Sequence, residues 1–290
     1  MLDLSLVRLN FFTKKYFDAM ARAYAQADMV DTFPEDMLRE QYQGRVLATY
    51  FHKAEMDKAV EIAFGKCALA IDVLKICSRA LIDPAYTSSF DIDTRLKQPP
   101  TSEVLVTNPD DIMSLTIKTQ ANQFPYEIGR REWDQMHDHG LVEFSDFLLA
   151  LDNSPTELRE LIARSITRTA SALSNKNLHQ RVVELFTVLE SLLLKNENSS
   201  IQESVSKYLS LIAFTHKEDR IECDRVIKTM YKVRSSLIHH GKEADFENGD
   251  LLLLQLCVNR LLLALIAKAE SHPNKQSVLA EVDDLILGLQ

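Results

Sequence analysis

Apolar residues recur at helical spacing through most of the second half of the chain. Val182, Leu185, Phe186, Leu189, Leu192 and Leu193 fall three or four positions apart and form one stripe, which Val183 and Leu194 widen. This predicts an amphipathic helix over 178–195. Similar spacing predicts helices over 155–173, 200–214, 218–239, 250–270 and 275–288. The punctuation agrees. Ser154-Pro155-Thr156-Glu157 offers a serine N-cap, a proline at the first helical position and a glutamate at the third. Asn196-Glu197-Asn198-Ser199 and Gly241 interrupt the pattern, and Gly249-Asp250 reopens it. Glu190 lies on the edge of the 178–195 stripe. A carboxylate there either reaches solvent or is half-buried and needs a partner.

The first half reads differently. Pro84, Pro99, Pro100, Pro109 and Pro125 are five of the eight prolines, and they exclude long helix from that stretch. Two strand-like runs lie within it, Glu103 to Thr107 and Met113 to Thr119, the second alternating apolar and polar residues. Asp57 to Ala80 reads as a helix with its apolar face at Val60, Ile62, Ala63, Cys67, Ala70, Ile71 and Leu74. Arg45 to His52 fits a strand or the lead-in to that helix, and residues 1–30 read as helical. The expected fold is therefore mainly α, with a helical C-terminal domain over 155–290 and an α+β region over 1–154. The boundary falls between 153 and 176.

The 290 residues are 46% hydrophobic and 26% charged, the composition of a globular chain. Glycine is scarce at 7 residues, against the needs of a turn-rich sandwich or barrel. The net charge of −9 argues against a broad basic surface that coats nucleic acid. The charge is uneven: 14 basic and 16 acidic residues from Asn175 onward, against 19 and 26 before it. A polyanion therefore meets less repulsion at the C-terminal half. Cys67, Cys77, Cys223 and Cys257 form no CxxC pair and sit in apolar runs, which predicts buried free thiols. The N-terminus lacks a basic leader pattern. The apolar run Leu251 to Ala267 is broken by Gln255, Asn259 and Arg260, so it reads as a buried helix and not a membrane span. A cytoplasmic protein is expected.

The candidate chemistry lies in Thr229 to Lys242, TMYKVRSSLIHHGK. Arg234 and His239 are five positions apart. On a straight helix that places them about 140° from each other. Fraying near Gly241, or a second copy, would be needed to bring both types together. Taken alone, Arg234 as an ordinary ion-pairing residue and His239 and His240 as helix-ending cations is the simpler reading.

The stretch nevertheless resembles the signature of the HEPN superfamily, and its surroundings resemble the ApeA-like branch. The signature is an Arg, a polar residue and a His after a short spacer, here Arg234-Ser235-Ser236-Leu237-Ile238-His239. The likeness covers residues 175–270. It includes the VLESLLL core around Glu190, Tyr231 three residues before Arg234, and Gly241 just past the histidines. The resemblance implies a C-terminal HEPN-like helical bundle that dimerises and cuts RNA without a metal or cofactor, one motif facing another across a cleft. His239 is the implied general acid/base, with His240 as the alternative. Arg234 is implied to stabilise the phosphate and Ser235 to orient the site. Glu190 and Tyr231 would support Arg234, and Lys232 and Lys242 would contact phosphate. RNA, with tRNA among the candidates, is the expected substrate. The expected setting is phage defence or toxin-like growth arrest, with no membrane partner, and the first 154 residues act as sensor or brake under an unidentified trigger. The alternative is a non-catalytic module that dimerises or binds a nucleotide or partner. Gly241 occupies the position where some members carry a modified tyrosine, so that form of control is not supported.

Other signals are weaker. His137-Asp138-His139 has a metal-ligand spacing without an evident third ligand, and reads as a polar loop. Trp133, with Arg130, Arg131 and Tyr126, would serve as a stacking platform or as an anchor between the two halves. No Walker loop, GxGxxG, GxSxG or HExxH occurs.

Overall fold

The computed structural model describes residues 2–4, 7–11, 46–50, 55–88, 104–105, 115–116, 129–195 and 200–288. Its contacts divide the chain into two compact units, one of residues 1–71 and 91–125, the other of 72–90 and 126–290. The described residues are mainly helical.

In the first unit, β1 (Leu2–Leu4), β2 (Val7–Phe11) and β3 (Val46–Thr49) form an antiparallel ribbon in that order. Short β4 (Val104–Leu105) pairs antiparallel with β5 (Leu115–Thr116). The helix expected over residues 1–30 is thus replaced by extended backbone at 2–4 and 7–11. There Val7, Leu9 and Phe11 alternate with polar Arg8 and Asn10, the two-residue period of a strand. Most of the remaining residues of the expected α+β region lie outside the described ones, and these short ladders do not by themselves make an α+β domain. Helix α1 spans Met56–Cys77, close to the helix expected at 57–80, and the division between the units falls within it.

The second unit is a helical bundle. It comprises the last turns of α1, α2 (Arg130–Asp138), α3 (Leu141–Asn153), α4 (Glu157–Ser174), α5 (Leu178–Leu193), α6 (Ile201–Ala213), α7 (Lys217–His240), α8 (Asn248–Lys268) and α9 (Lys275–Leu287). Helices α2 and α3 lie before the expected boundary at 154 but belong to this unit. Ser154 does not start α4 as expected. The preceding residues stay helical through Asn153, so Ser154 closes α3, and Thr156 caps α4 by accepting a bond from Arg159 N. The α5 stripe is buried as its spacing predicts, from Val182 through Leu193.

Helix α8 is the central element and packs on α3, α4, α5, α6 and α7. Among the described residues it is the helix long and apolar enough by composition to cross a membrane, and half of that apolar window is buried. Two of the polar residues that interrupt its apolar run, Gln255 and Asn259, are buried too, while Arg260 is exposed. Gln255 Nε2 donates to the carbonyls of Ala80 and Leu81 at 3.0 and 2.8 Å, and Asn259 Nδ2 donates to His139 O at 3.2 Å. Gly140 turns the chain between α2 and α3 at φ +93°. The backbone angle calls for glycine, and a Cβ there would also push against the Leu263 side-chain tip of α8 at 2.5 Å.

Arg181, in the first turn of α5, is completely buried. Its Nη1 donates to Pro84 O and Gln255 Oε1, both at 3.1 Å. Its Nη2 donates to Asn175 O at 2.8 Å and Tyr86 O at 3.3 Å. It thereby ties residues 84–86, the end of α4 and the middle of α8 to one group. Burial pulls its pKa down, against the opposing charge of Glu184. Other cations satisfy exposed helix ends in the same way. Lys275 Nζ meets the Ser191 and Leu194 carbonyls at the end of α5, and Arg220 Nε meets Phe214 O after α6. Replacing Arg181 with leucine leaves these buried acceptors without a donor. Arg181→Leu is expected to lower unfolding stability by about 3–5 kcal/mol, measured by denaturant unfolding followed by circular dichroism.

Candidate functional site

Helix α7 carries the motif, and its sequence explains both its ends. Glu218 and Asp219 occupy the first turn, where the dipole favours anions, and His239 and His240 occupy the last. Gly241 then adopts φ +60° and closes the helix. Gly241 N–H donates to Leu237 O at 2.9 Å and Lys242 N–H to Ser236 O at 3.3 Å. No fraying releases the histidines: the helix is continuous through His240.

The inward face of α7 is Cys223, Val226, Ile227, Met230 and Val233. Arg234 lies at the edge of this face, towards α5, and its side chain is only 13% exposed. Its Nη2 stands 2.8 Å from Glu190 Oε1, so the half-buried carboxylate finds its partner on the neighbouring helix. The pair is close without being aligned as a hydrogen bond, and Arg234 Nε is buried with no hydrogen-bond partner. Burial outweighs the attraction of Arg234 and holds the Glu190 carboxyl above its ordinary range. Tyr231 completes the group. Its ring lies 5.7 Å from the Arg234 guanidinium carbon and packs edge-on against Phe186, also at 5.7 Å between centroids.

The histidines stand apart from this group. His239 and His240 are exposed, with ring centroids 6.5 Å apart. Because the helix is unbroken, His239 points about 140° away from Arg234 around the axis. Lys232 and Lys242 are exposed, and Ser235 is half-buried. One chain therefore brings together Arg234, Glu190 and Tyr231, and does not place His239, His240, Ser235, Lys232 or Lys242 on the same face. Sequence reading missed Ser236, whose Oγ donates to Lys242 O at 2.9 Å and shapes the chain after the helix. It also missed His179, which binds the same segment. Neither carries a motif signal: Ser236 bonds the backbone six residues on, and His179 bonds that of a segment 65 residues away.

The weaker candidates take structural places. His137 and Asp138 end helix α2 instead of lying in a polar loop, because Trp133 and Met136 give that stretch an inward face. His137 packs edge-on against Trp133 at 4.5 Å, while His139 Nδ1 meets Cys77 O at 3.0 Å. Tyr126 lies outside the described residues. Among the described residues no three His, Cys, Asp or Glu side chains cluster as a metal site would require. All four cysteines are buried and free. An open polar groove of about 460 Å³ lies elsewhere, lined by Asp72, Lys75, Thr167, Ser171, Ser174 and Asn175. It shares no residue with the motif.

No protein-family profile, curated protein or solved structure matches this chain.

The Glu190 shift has a testable sign. Its folded pKa is raised, so the folded state binds the proton more tightly than the unfolded one. That stability is present at acid pH and is lost as pH rises above the ordinary carboxylate value near 4.5. Glu190→Gln removes the linkage. Unfolding free energies measured from pH 4 upward should fall with pH more steeply in the wild type than in the variant.

Proposed function

We propose that the chain is a metal-independent endoribonuclease of HEPN type, whose C-terminal helical domain carries the activity. The observation that best supports this is the placement of Arg234, held half-buried by Glu190 beside Tyr231, on a helix that ends in two exposed histidines. The chemistry needs no cofactor. His239, or His240 in its place, takes the proton from a ribose 2′-OH, whose oxygen attacks the adjacent phosphorus. The 5′-oxygen leaves with a proton given by the resulting imidazolium, yielding a 2′,3′-cyclic phosphate and a 5′-OH end. Arg234, permanently charged, stabilises the added negative charge on the phosphate. Ser235 orients the site, and Lys232 and Lys242 contact flanking phosphates.

The divergence of Arg234 and His239 on one helix gives the second copy its role. In a homodimer, the arginine of one protomer meets the histidine of the other in a composite cleft. The reading extends to a cytoplasmic protein of phage defence or growth arrest, acting on RNA such as tRNA. The residues that precede the helical bundle restrain or trigger it. A second reading is a non-catalytic HEPN-like module that dimerises or binds a nucleotide or partner. It is favoured by the hold of Glu190 on Arg234, which gives the arginine a partner without substrate.

Cleavage of total RNA and tRNA by purified protein in EDTA tests the proposal. Arg234→Ala and His239→Ala, both folded and with wild-type oligomeric state, should each lose about 10²–10⁴-fold in rate. The products should carry 2′,3′-cyclic phosphate ends. Loss only with His240→Ala moves the acid/base by one residue. Growth arrest by the wild type without cleavage in vitro, relieved by Arg234→Ala, points to a missing trigger. Binding of nucleotide through Arg234 without cleavage or arrest favours the module.

A further inference from the structure

We propose that His179 is a positioning residue for this site: it holds segment 241–247 and so keeps Lys242 at the C-terminal end of α7. The proposal rests on the ribonuclease reading of that end. His179 stands in the first turn of α5, with its side chain 21% exposed. It touches three residues of the segment. Its Nε2 donates to Ala244 O at 3.0 Å, its Nδ1 faces Glu243 Oε1 at 3.8 Å, and its ring meets Phe246 edge-on at 5.0 Å. Nε2 carries the proton because its partner is a carbonyl, which only accepts. That bond survives whether or not Nδ1 is protonated.

The other end of the segment is fixed to α7 itself. Gly241 and Lys242 return their N–H groups to Leu237 and Ser236, and the Ser236 hydroxyl donates to Lys242 O. Lys242 is thus bracketed between the helix end and the His179 anchor. The composition of the segment gives the anchor a consequence. In GKEADFE, Lys242 is accompanied by Glu243, Asp245 and Glu247. Glu243 faces His179, on the α5 side of the segment, while Lys242 follows His239 and His240 in the chain, just after Gly241. A loosened segment would bring net negative charge to the place where phosphate must bind, so the loss should appear in substrate binding and not in the chemical step.

Two readouts on the full chain test this: hydrogen exchange of the Lys242 amide, which bonds Ser236 O, and steady-state cleavage of a labelled single-stranded RNA. His179→Ala should speed exchange at Lys242 while leaving the rest of the bundle protected. It should raise KM about three- to fivefold, with kcat little changed. His179→Gln, whose amide nitrogen reaches about as far as Nε2, should restore both. Adding Lys242→Ala to His179→Ala should raise KM no further. Unchanged exchange overturns the anchor. Faster exchange with unchanged KM, or additive effects of the two substitutions, overturns the positioning role. A wild type that cuts no RNA defeats the ribonuclease reading and this role with it, while the exchange result still reports separately on the anchor.

Discussion

Arg181 is enclosed on every side, and a guanidinium cannot shed its charge, so the carbonyls that stabilise it have to be brought to it. Three of them come from chain segments that are not helical, at Pro84, Tyr86 and Asn175. The fourth acceptor, Gln255, lies in the middle of the central helix and itself donates to Ala80 and Leu81. One cation and one amide therefore satisfy carbonyls of a short 3-10 turn and the chain that follows it. Without them residues 80–86 could not lie against α5 and α8, because their carbonyls would be buried unpaired. The remaining helices are packed around that fixed joint.

The same logic works at the helix ends. Arg159, Lys275 and Arg220 each turn a long cationic side chain onto carbonyls left over at the end of a helix, where the dipole also favours positive charge. Helix α7 ends without such a visitor. Its closing turn is made by Gly241, Ser236 and Lys242, and its own last-turn histidines, His239 and His240, remain exposed. This leaves the two imidazoles available for proton transfer, while Arg234, one and a half turns earlier, is committed to Glu190.

Under the proposed ribonuclease reading, these two halves of the motif are in tension. Arg234 is poised by α5, and the histidines are presented by the tip of α7. A continuous helix cannot turn them towards a common point. Either a second copy supplies the missing partner or the arginine serves the fold. On the ribonuclease reading, the acidic residues of segment 241–247 add a further constraint, since a phosphate would approach between Lys242 and neighbouring carboxylates. Anchoring of that segment by α5 therefore bears on both readings.

Much of this architecture was legible in the sequence. Period 3.6 with recognisable breaks predicted six helices to within a few residues, because each has one apolar stripe and a capping or breaking residue at its ends. The edge position of Glu190 left open whether it reaches solvent or takes a partner, and the structure gives it Arg234. The start of α4 was misplaced because Ser154 and Thr156 both have capping side chains, and only the end of the preceding helix decides between them. Residues 2–11 were misread because a short alternating run fits a strand or a helix until a pairing partner exists. The sequence by itself determined which faces are apolar and which residues can carry charge or protons. Only the tertiary structure decided that Arg181 is wholly buried, that Arg234 pairs with Glu190, and that His179 grips a loop some 65 residues away. Those choices depend on which helices meet, and local spacing carries no information about contacts between distant segments.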